Sequence, residues 1–120
     1  DNGTTRQFST GANRDTAQDK PDYEGFLSPL VIERFGQYMH KNRQMKDGTL
    51  RDADNWQKGM PLSVYMKSAW RHFLVWWKWH RTAHVVPKGY EEVEEALCAL
   101  MFNVQGYLHE HLQSRRMSEL

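Results

Sequence analysis

Residues 68–80 read Ser-Ala-Trp-Arg-His-Phe-Leu-Val-Trp-Trp-Lys-Trp-His, and residues 91–103 read Glu-Glu-Val-Glu-Glu-Ala-Leu-Cys-Ala-Leu-Met-Phe-Asn. Apolar residues recur at helical spacing in both stretches, which predicts two helices with one strongly apolar side. Each helix also carries polar groups that a simple bundle does not need. These are Arg71 and His72 in the first helix, and four glutamates and Asn103 in the second. The two stretches therefore indicate both the fold and the place of a site.

Length, charge and cysteine content limit the class of protein. A chain of 120 residues allows one domain with a modest core. A formal net charge of +1 predicts neither a nucleic acid nor an anionic membrane as partner. No apolar run has the roughly 18 to 20 residues that span a bilayer, and no secretory signal is visible. The single cysteine, Cys98, excludes an intramolecular disulfide, and its apolar neighbours predict a buried thiol. We expect a cytoplasmic protein.

Tryptophan is abundant in the second half of the chain. Four of the five tryptophans lie between Trp70 and Trp79. Aromatic side chains fill cores and interfaces, and a small helical domain has little room to bury so many. We therefore expect a homodimer or homotetramer.

Polarity divides the chain into three parts. Residues 1–25 form a polar arm, residues 26–113 a helical domain, and residues 114–120 a tail that frays. Composition favours coil for the arm, although the small residues beside Arg14 could instead hold a phosphate. No strand-like alternation of any length is present. The predicted fold is all-α, a small bundle of three to five helices.

Three long helices are predicted within the domain. The first begins with Ser28 as N-cap and Pro29 at its first position. The second covers residues 61–81, the third covers residues 91–113, and residues 82–89 connect them. The residues predicted to form the apolar stripes of the last two helices are Leu62, Met66, Ala69, Trp70, Phe73 and Trp77, and Val93, Leu97, Leu100, Met101, Val104 and Leu108.

A polar loop precedes the second of these helices, at residues 45–60. Trp56 has no periodic apolar partner in this loop. It therefore either plugs the core from the loop, which is the favoured interpretation, or lines a pocket.

Four glutamates open the last predicted helix, at positions 91, 92, 94 and 95. Carboxylates three or four positions apart lie on one side of a helix, and oxygen ligands of this kind suit Mg²⁺ or Mn²⁺. A solvated first turn, favoured by the helix dipole, is the simpler interpretation. Among the four, Glu95 is the best ligand candidate because it shares a face with Asn103.

The other candidate residues each have a structural alternative. His72 beside an apolar stripe is typical of a hydrogen-bonded structural histidine. Arg71 could pair with the glutamates or grip a phosphate. Glu33 and His40 share a helix face but form a weaker pair, and Asn103 needs partners for its amide if it is buried.

Five short motifs occur in a characteristic order. They are Phe8-Ser-Thr-Gly-Ala-Asn-Arg-Asp15, Ser28-Pro-Leu30, Asn55-Trp-Gln-Lys-Gly59, Ala69-Trp-Arg-His72, and Glu94-Glu-Ala-Leu97 followed by Phe102-Asn103. The combination, over residues 7–112, resembles the N-terminal family of phage and bacterial dATP/dGTP diphosphohydrolases. That family is related to the MazG-like all-α nucleotide pyrophosphohydrolases.

The resemblance implies a MazG-like bundle completed by oligomerisation, with a Mg²⁺ or Mn²⁺ site. It implies hydrolysis of a purine deoxynucleoside triphosphate to the monophosphate and pyrophosphate, in the cytoplasm of a bacterium or a phage-infected host. The chain departs from the family pattern at two places. Cys98 stands where the last acid of the metal motif would fall, and His40 stands where many relatives have a glutamate.

The resemblance also assigns roles to residues, and three functions stay open. These are a metal-dependent triphosphate hydrolase, a phage protein that binds and sequesters a nucleotide without cutting it, and a helical interaction module. The assigned residues are Glu95 and His72 for catalysis; Glu94, Glu95, His40 and Glu33 for the metal; and Arg71, Asn103, Trp56, Lys58, Asn55 and Arg14 for the substrate.

Overall fold

The computed structural model describes residues 5–15, 19–82 and 92–119. Internal contacts divide the chain into two units, Asp1–Ile32 and Glu33–Leu120. The described residues form four α-helices, a short 3₁₀ helix and one two-stranded sheet. A small, mostly helical fold is therefore confirmed, and the two short strands are an addition that the sequence did not predict.

The sheet lies in the polar arm, for which composition favoured coil. Strands β1 (Thr5–Gln7) and β2 (Asn13–Asp15) pair in antiparallel register. Between them the backbone N–H of Phe8 donates to the carbonyl of Ala12 at 2.8 Å. Gly11 turns the chain with a φ of 89°, a left-handed conformation that glycine adopts without a steric cost. The turn residues thus give order to a segment whose polarity suggested coil.

Side chains cap the N-termini of both helices that begin in the first third of the chain. The four-residue helix α1 (Tyr23–Phe26) was not predicted, and the carboxylate of Asp22 caps it. Helix α2 (Pro29–Lys41) begins where the sequence predicted. The hydroxyl of Ser28 accepts the backbone N–H of Val31 at 3.3 Å, which satisfies a donor that the helix itself leaves open.

The polar loop after α2 contains an ordered turn. Gln44 and Leu50 form an isolated antiparallel bridge, and Gly48 closes the turn with a φ of 86°. The hydroxyl and the backbone N–H of Thr49 donate to the carboxylate of Asp47 at 2.6 and 2.9 Å. These hydrogen bonds lower the pKa of Asp47, because they stabilise its charged form.

The second half of the chain holds the two long helices. After the 3₁₀ helix Asn55–Lys58, helix α3 spans Leu62–Arg81, in agreement with the prediction. Helix α4 spans Val93–Ser118 and is longer than predicted, since it includes most of the expected tail. Most of the predicted connector and Glu91 lie outside the described residues. Within the described helices, no segment combines the length and the apolar character needed to cross a membrane.

Helices α3 and α4 pack against each other through small side chains around one tyrosine. Tyr65 of α3 is fully buried. On α4, buried residues recur every three or four positions and so share one side of the helix: Ala96, Ala99, Asn103 and Gly106. A Cβ atom at Gly106 would overlap the ring of Tyr65. Helix α4 therefore needs glycine at this position for the two helices to approach so closely.

The apolar stripes predicted for α3 and α4 are largely wrong for one copy of the chain. The α3 residues that turn inward lie on the opposite side of the helix, and they include His72 and Val75 besides Tyr65. The small residues of α4 bring the two helices so close that larger side chains do not fit between the helix axes. The larger side chains therefore stay exposed. Residues predicted to face inward but exposed in one copy are Leu62, Met66, Trp70, Phe73, Trp77, Met101, Val104 and Leu108.

Candidate functional site

A pocket of about 840 Å³ opens within the second unit. Its wall is formed by the end of α2, the loop that follows it, the 3₁₀ helix, one face of α3 and two residues of α4. Small-molecule sites in proteins typically measure about 300 to 1,000 Å³, so this pocket has the size of a ligand site. We refer to it as the basic pocket.

Most of the predicted site residues meet in this pocket although they are far apart in sequence. The loop and the 3₁₀ helix contribute three of them, α3 two, and α2 and α4 one each. The fold thus brings together the residues that the resemblance assigned to the substrate, except Arg14, together with two of its catalytic and metal candidates. The predicted residues in the wall are His40, Asn55, Trp56, Lys58, Arg71, His72 and Asn103.

Positive charge dominates the pocket wall. Five of its residues are lysine or arginine, and Asp52 is the one carboxylate among them. A concave surface lined by one sign of charge focuses the field and attracts ions of the opposite sign. Lys58 and Arg71 were predicted from the sequence, whereas the other three cations of the wall were not: Lys41, Arg43 and Arg51.

The loop turn holds two of these cations side by side. The backbone N–H of Arg51 donates to the carbonyl of Arg43 at 2.9 Å. In return, Nε of Arg43 donates to the carbonyl of Arg51 at 2.6 Å. Among the described residues, Arg51, Lys58 and Arg71 form no ion pair with a carboxylate. Three positive side chains are thus available to an anion that enters the pocket.

Trp56 combines the two roles that the sequence left open. Its ring packs edge-on against Phe102 and His109 of α4, with centroid separations of 6.2 and 4.9 Å. The same half-buried residue also belongs to the pocket wall. Contacts with α4 therefore fix the orientation of an aromatic side chain at the edge of a positively charged cavity.

Asn103 brings a buried amide to the pocket. The side chain is 5% exposed, and its Nδ2 donates to the carbonyl of Ala99 one turn earlier at 2.8 Å. A helix carbonyl thus supplies one of the partners that a buried amide requires. His72 also lies in the wall, half-buried on the inner side of α3.

The glutamates of α4 form ion pairs instead of lining the pocket. Oε1 of Glu94 accepts from Nε of Arg34 at 2.8 Å, and this hydrogen bond raises the pKa of Arg34. Oε1 of Glu95 lies 3.4 Å from Nη2 of Arg34 and 3.2 Å from Nζ of Lys41. The predicted pairing of these acids with Arg71 is not observed. Because Lys41 also belongs to the pocket wall, it links Glu95 to the pocket.

This arrangement does not fit a metal site within one copy. A divalent cation needs several oxygen ligands around one point, and both glutamates already contact cationic side chains. Throughout residues 5–15, 19–82 and 92–119, no group of three or more histidine, cysteine or acidic side chains is placed to hold one ion. The prediction of Mg²⁺ or Mn²⁺ stays a prediction.

The remaining assigned residues lie elsewhere. Glu33 is exposed on α2 and is not part of the pocket wall. Arg14 belongs to the first unit, where it lies on β2 directly opposite Arg6 of β1. The missed cations had one visible signal, since lysine and arginine recur from Lys41 onward through the loop.

No protein-family model, no curated protein and no solved structure matches this chain.

Proposed function

We propose that the chain binds a nucleoside triphosphate in the basic pocket. The observation that carries this proposal is the gathering of five cationic residues and one carboxylate around a fixed tryptophan. A triphosphate needs several positive groups, and a nucleobase needs a flat apolar surface. The pocket wall offers both within a volume of nucleotide size.

In this proposal the phosphates contact the cations that have no carboxylate partner among the described residues. Arg71 approaches from α3, Lys58 from the 3₁₀ helix and Arg51 from the loop. Arginine donates two parallel hydrogen bonds to phosphate oxygens, which gives orientation as well as attraction. The formal net charge of +1 does not conflict with this role, because the positive charge is local.

The base would lie against Trp56, and the amide of Asn103 would orient it. Stacking of a base on an aromatic side chain contributes about 1 to 3 kcal/mol and does not depend strongly on which base is present. An amide can both donate and accept, so Asn103 is suited to recognise an edge of the base. The preference for a purine deoxynucleotide rests on the resemblance of the sequence motifs alone.

The first test measures binding of dATP, dGTP and ATP by calorimetry and by the shift in melting temperature. We expect stabilisation by all three nucleotides, because a ligand that binds only the native state raises its apparent stability. Inorganic tripolyphosphate should bind more weakly than the nucleotides, since it lacks the base. If neither nucleotides nor tripolyphosphate bind, the proposal is wrong.

A matched pair of variants on α3 assigns the site. Arg71→Ala should weaken nucleotide binding at least about tenfold, because a hydrogen bond to a charged group contributes about 1.5 to 3 kcal/mol. Lys67→Ala removes an exposed cation from the same helix outside the pocket wall, so it should leave affinity nearly unchanged. Equal losses in the two variants would indicate attraction by the overall field, without a defined site.

Hydrolysis of the bound triphosphate is the second candidate function. The observation that favours it is the contact of Lys41, a residue of the pocket wall, with the carboxylate of Glu95 at 3.2 Å. Release of pyrophosphate with Mg²⁺ or Mn²⁺, and its loss with a chelator and in Glu95→Gln, would establish a metal-dependent pyrophosphohydrolase. Binding without release would leave a protein that sequesters its nucleotide.

A further inference from the structure

Helix α3 carries a second apolar side that the described fold leaves open. Five large side chains follow one another along it at helical spacing. The rings of Trp70 and Trp77 both contact the ring of Phe73, with centroid separations of 6.0 and 6.4 Å, so they form a continuous surface. We call this surface the outer stripe of α3; it consists of Met66, Trp70, Phe73, Leu74 and Trp77.

The outer stripe is large for a surface exposed to water. Trp70 and Trp77 are 64% and 54% exposed, and the other members are between 36% and 46% exposed. With about 200 Å² for each fully exposed large side chain, the stripe presents about 500 Å² of apolar surface. Patches of this size on soluble proteins commonly mark interaction sites. A standard interface takes about 800 Å² from each partner, so the stripe suffices for the apolar centre of one.

Helix α4 has a similar outer side. Met101, Val104, Leu108 and Leu112 are exposed there, opposite the small residues that contact α3. A helix that is apolar on two opposite sides is typical of a buried position. Each helix of the α3–α4 pair thus uses one apolar side within the chain and leaves the other side for a neighbour.

We propose that a second copy of the chain covers the outer stripe of α3 with its own outer stripe. The two outer sides point away from each other, because each lies opposite the α3–α4 contact. A contact between α3 of one copy and α4 of the next would therefore continue into an open chain. Pairing of identical stripes closes after two copies around a two-fold axis, which is the commonest arrangement of soluble oligomers.

The outer stripe itself contains no charged residue, and charged side chains lie only along its edge. The cations Lys67 and Arg71 follow the stripe along one side of α3, and α3 contains no acidic residue. An interface of this kind buries aromatic anchors and leaves charged side chains at its solvated edge. Arg71 also belongs to the wall of the basic pocket, whose other α3 residues, Val64, Ser68 and His72, are not members of the stripe, so the stripe and the pocket use different sides of the same helix.

The test measures the molecular mass of the full chain by light scattering and by sedimentation equilibrium, without nucleotide. One copy has a mass of 14.2 kDa, and we expect at least twice that mass for the wild type. The double variant Trp70→Glu, Trp77→Glu should have the mass of one copy. Val104→Glu, Leu108→Glu is the matched control on α4, and it should remain at least a dimer.

Three results would overturn the proposal. They are a wild type with the mass of one copy at every concentration, an unchanged mass in the α3 variant, and dissociation to one copy in the α4 variant alone. If the double variant does not fold, Trp70→Ala provides the decisive comparison. It should raise the dimer dissociation constant at least about tenfold, as truncation of a central tryptophan typically does. An unchanged constant would contradict the proposal.

Discussion

The contact between α3 and α4 and the basic pocket beside it consist of different kinds of residue. The contact is buried, and it contains small residues of α4 and Tyr65 of α3, which is fully buried. The pocket is open, and lysine and arginine dominate the charged residues of its wall. Substitutions in the contact should therefore change stability, whereas substitutions of charged residues in or behind the pocket wall should change binding and leave stability nearly constant. Four predictions test this division, from the largest expected effect to the smallest.

Adding one methyl group at the contact should destabilise the fold. In Gly106→Ala the new Cβ would overlap the ring of Tyr65, and both residues are buried. Overpacking of this kind costs about 1 to 3 kcal/mol of the free energy of unfolding. Thermal and urea unfolding measure the change.

Gly36→Ala is the matched control for this substitution. Gly36 lies within α2 in the pocket wall, and a Cβ there would meet no other atom within 4 Å. Since alanine favours a helix over glycine by about 1 kcal/mol, this variant should be more stable than the wild type. If Gly106→Ala is as stable as the wild type or more stable, the ring of Tyr65 leaves room for the added methyl group and the close contact is wrong.

Removing the hydroxyl of Tyr65 should stabilise the contact. This buried oxygen has no hydrogen-bond partner among the described residues, and an unsatisfied buried group costs about 1 to 3 kcal/mol. Tyr65→Phe should therefore increase the free energy of unfolding by about 1 kcal/mol. Tyr107→Phe, at an exposed position of α4, should have almost no effect. Equal effects in the two variants would mean that the Tyr65 hydroxyl finds a partner in solution.

Tyr65→Phe should also change how the free energy of unfolding depends on pH in alkaline solution. Burial raises the pKa of Tyr65, and repulsion by Glu110 raises it further. The unfolded phenol ionises near 10, below the folded phenol, so the folded state loses stability as pH rises above 10. In Tyr65→Phe this part of the alkaline destabilisation should be absent.

Removing the negative charge of Glu95 should strengthen nucleotide binding. Glu95→Gln removes the carboxylate partner of Lys41, which then contributes its full charge to the pocket. Because a partly exposed ion pair contributes up to about 1 kcal/mol, we expect nucleotide affinity to rise about twofold to fivefold. Glu94→Gln is the control, since Glu94 contacts Arg34 and not Lys41. An equal gain in both variants would exclude a specific role for Lys41.

The smallest expected effect is a slower alkylation of the Cys98 thiol in the native protein. Cys98 is buried in α4, and burial raises the pKa of its thiol. The folded thiol therefore ionises at a higher pH than the ordinary value of 9.0, and the folded state loses stability as pH rises above that value. At pH 8, iodoacetamide should react more slowly with native protein than with protein in urea. Equal rates would show that the fold opens easily around Cys98.

Prediction from the sequence succeeded where a local signal was present. Ser28 and Pro29 indicated the start of α2, and the apolar run after Pro61 indicated α3. Helical spacing also revealed that α3 and α4 carry extensive apolar stripes. It did not reveal which side of each helix packs inside the chain, because both sides of α3 and α4 are apolar.

The site was predicted only in part, because local signals in the sequence do not show which residues meet in the fold. The motif residues assigned to the substrate do meet in one pocket, apart from Arg14. Lys41, Arg43 and Arg51 were missed because charged residues at a helix end and in a polar loop resemble solvated surface. The proximity of Arg43 and Arg51 depends on the turn between Gln44 and Leu50, which is a feature of backbone geometry.

The sequence by itself determined that the chain is mostly helical, where α2 and α3 begin, and which polar residues are candidates for chemistry. These are local properties, set by caps, helical spacing and residue type within a few turns. Only the tertiary structure decided that Gly106 and Tyr65 define the α3–α4 contact and that Glu94 and Glu95 pair with Arg34 and Lys41. Such choices depend on which surfaces meet, and small residues that permit a close approach give no strong signal along the chain.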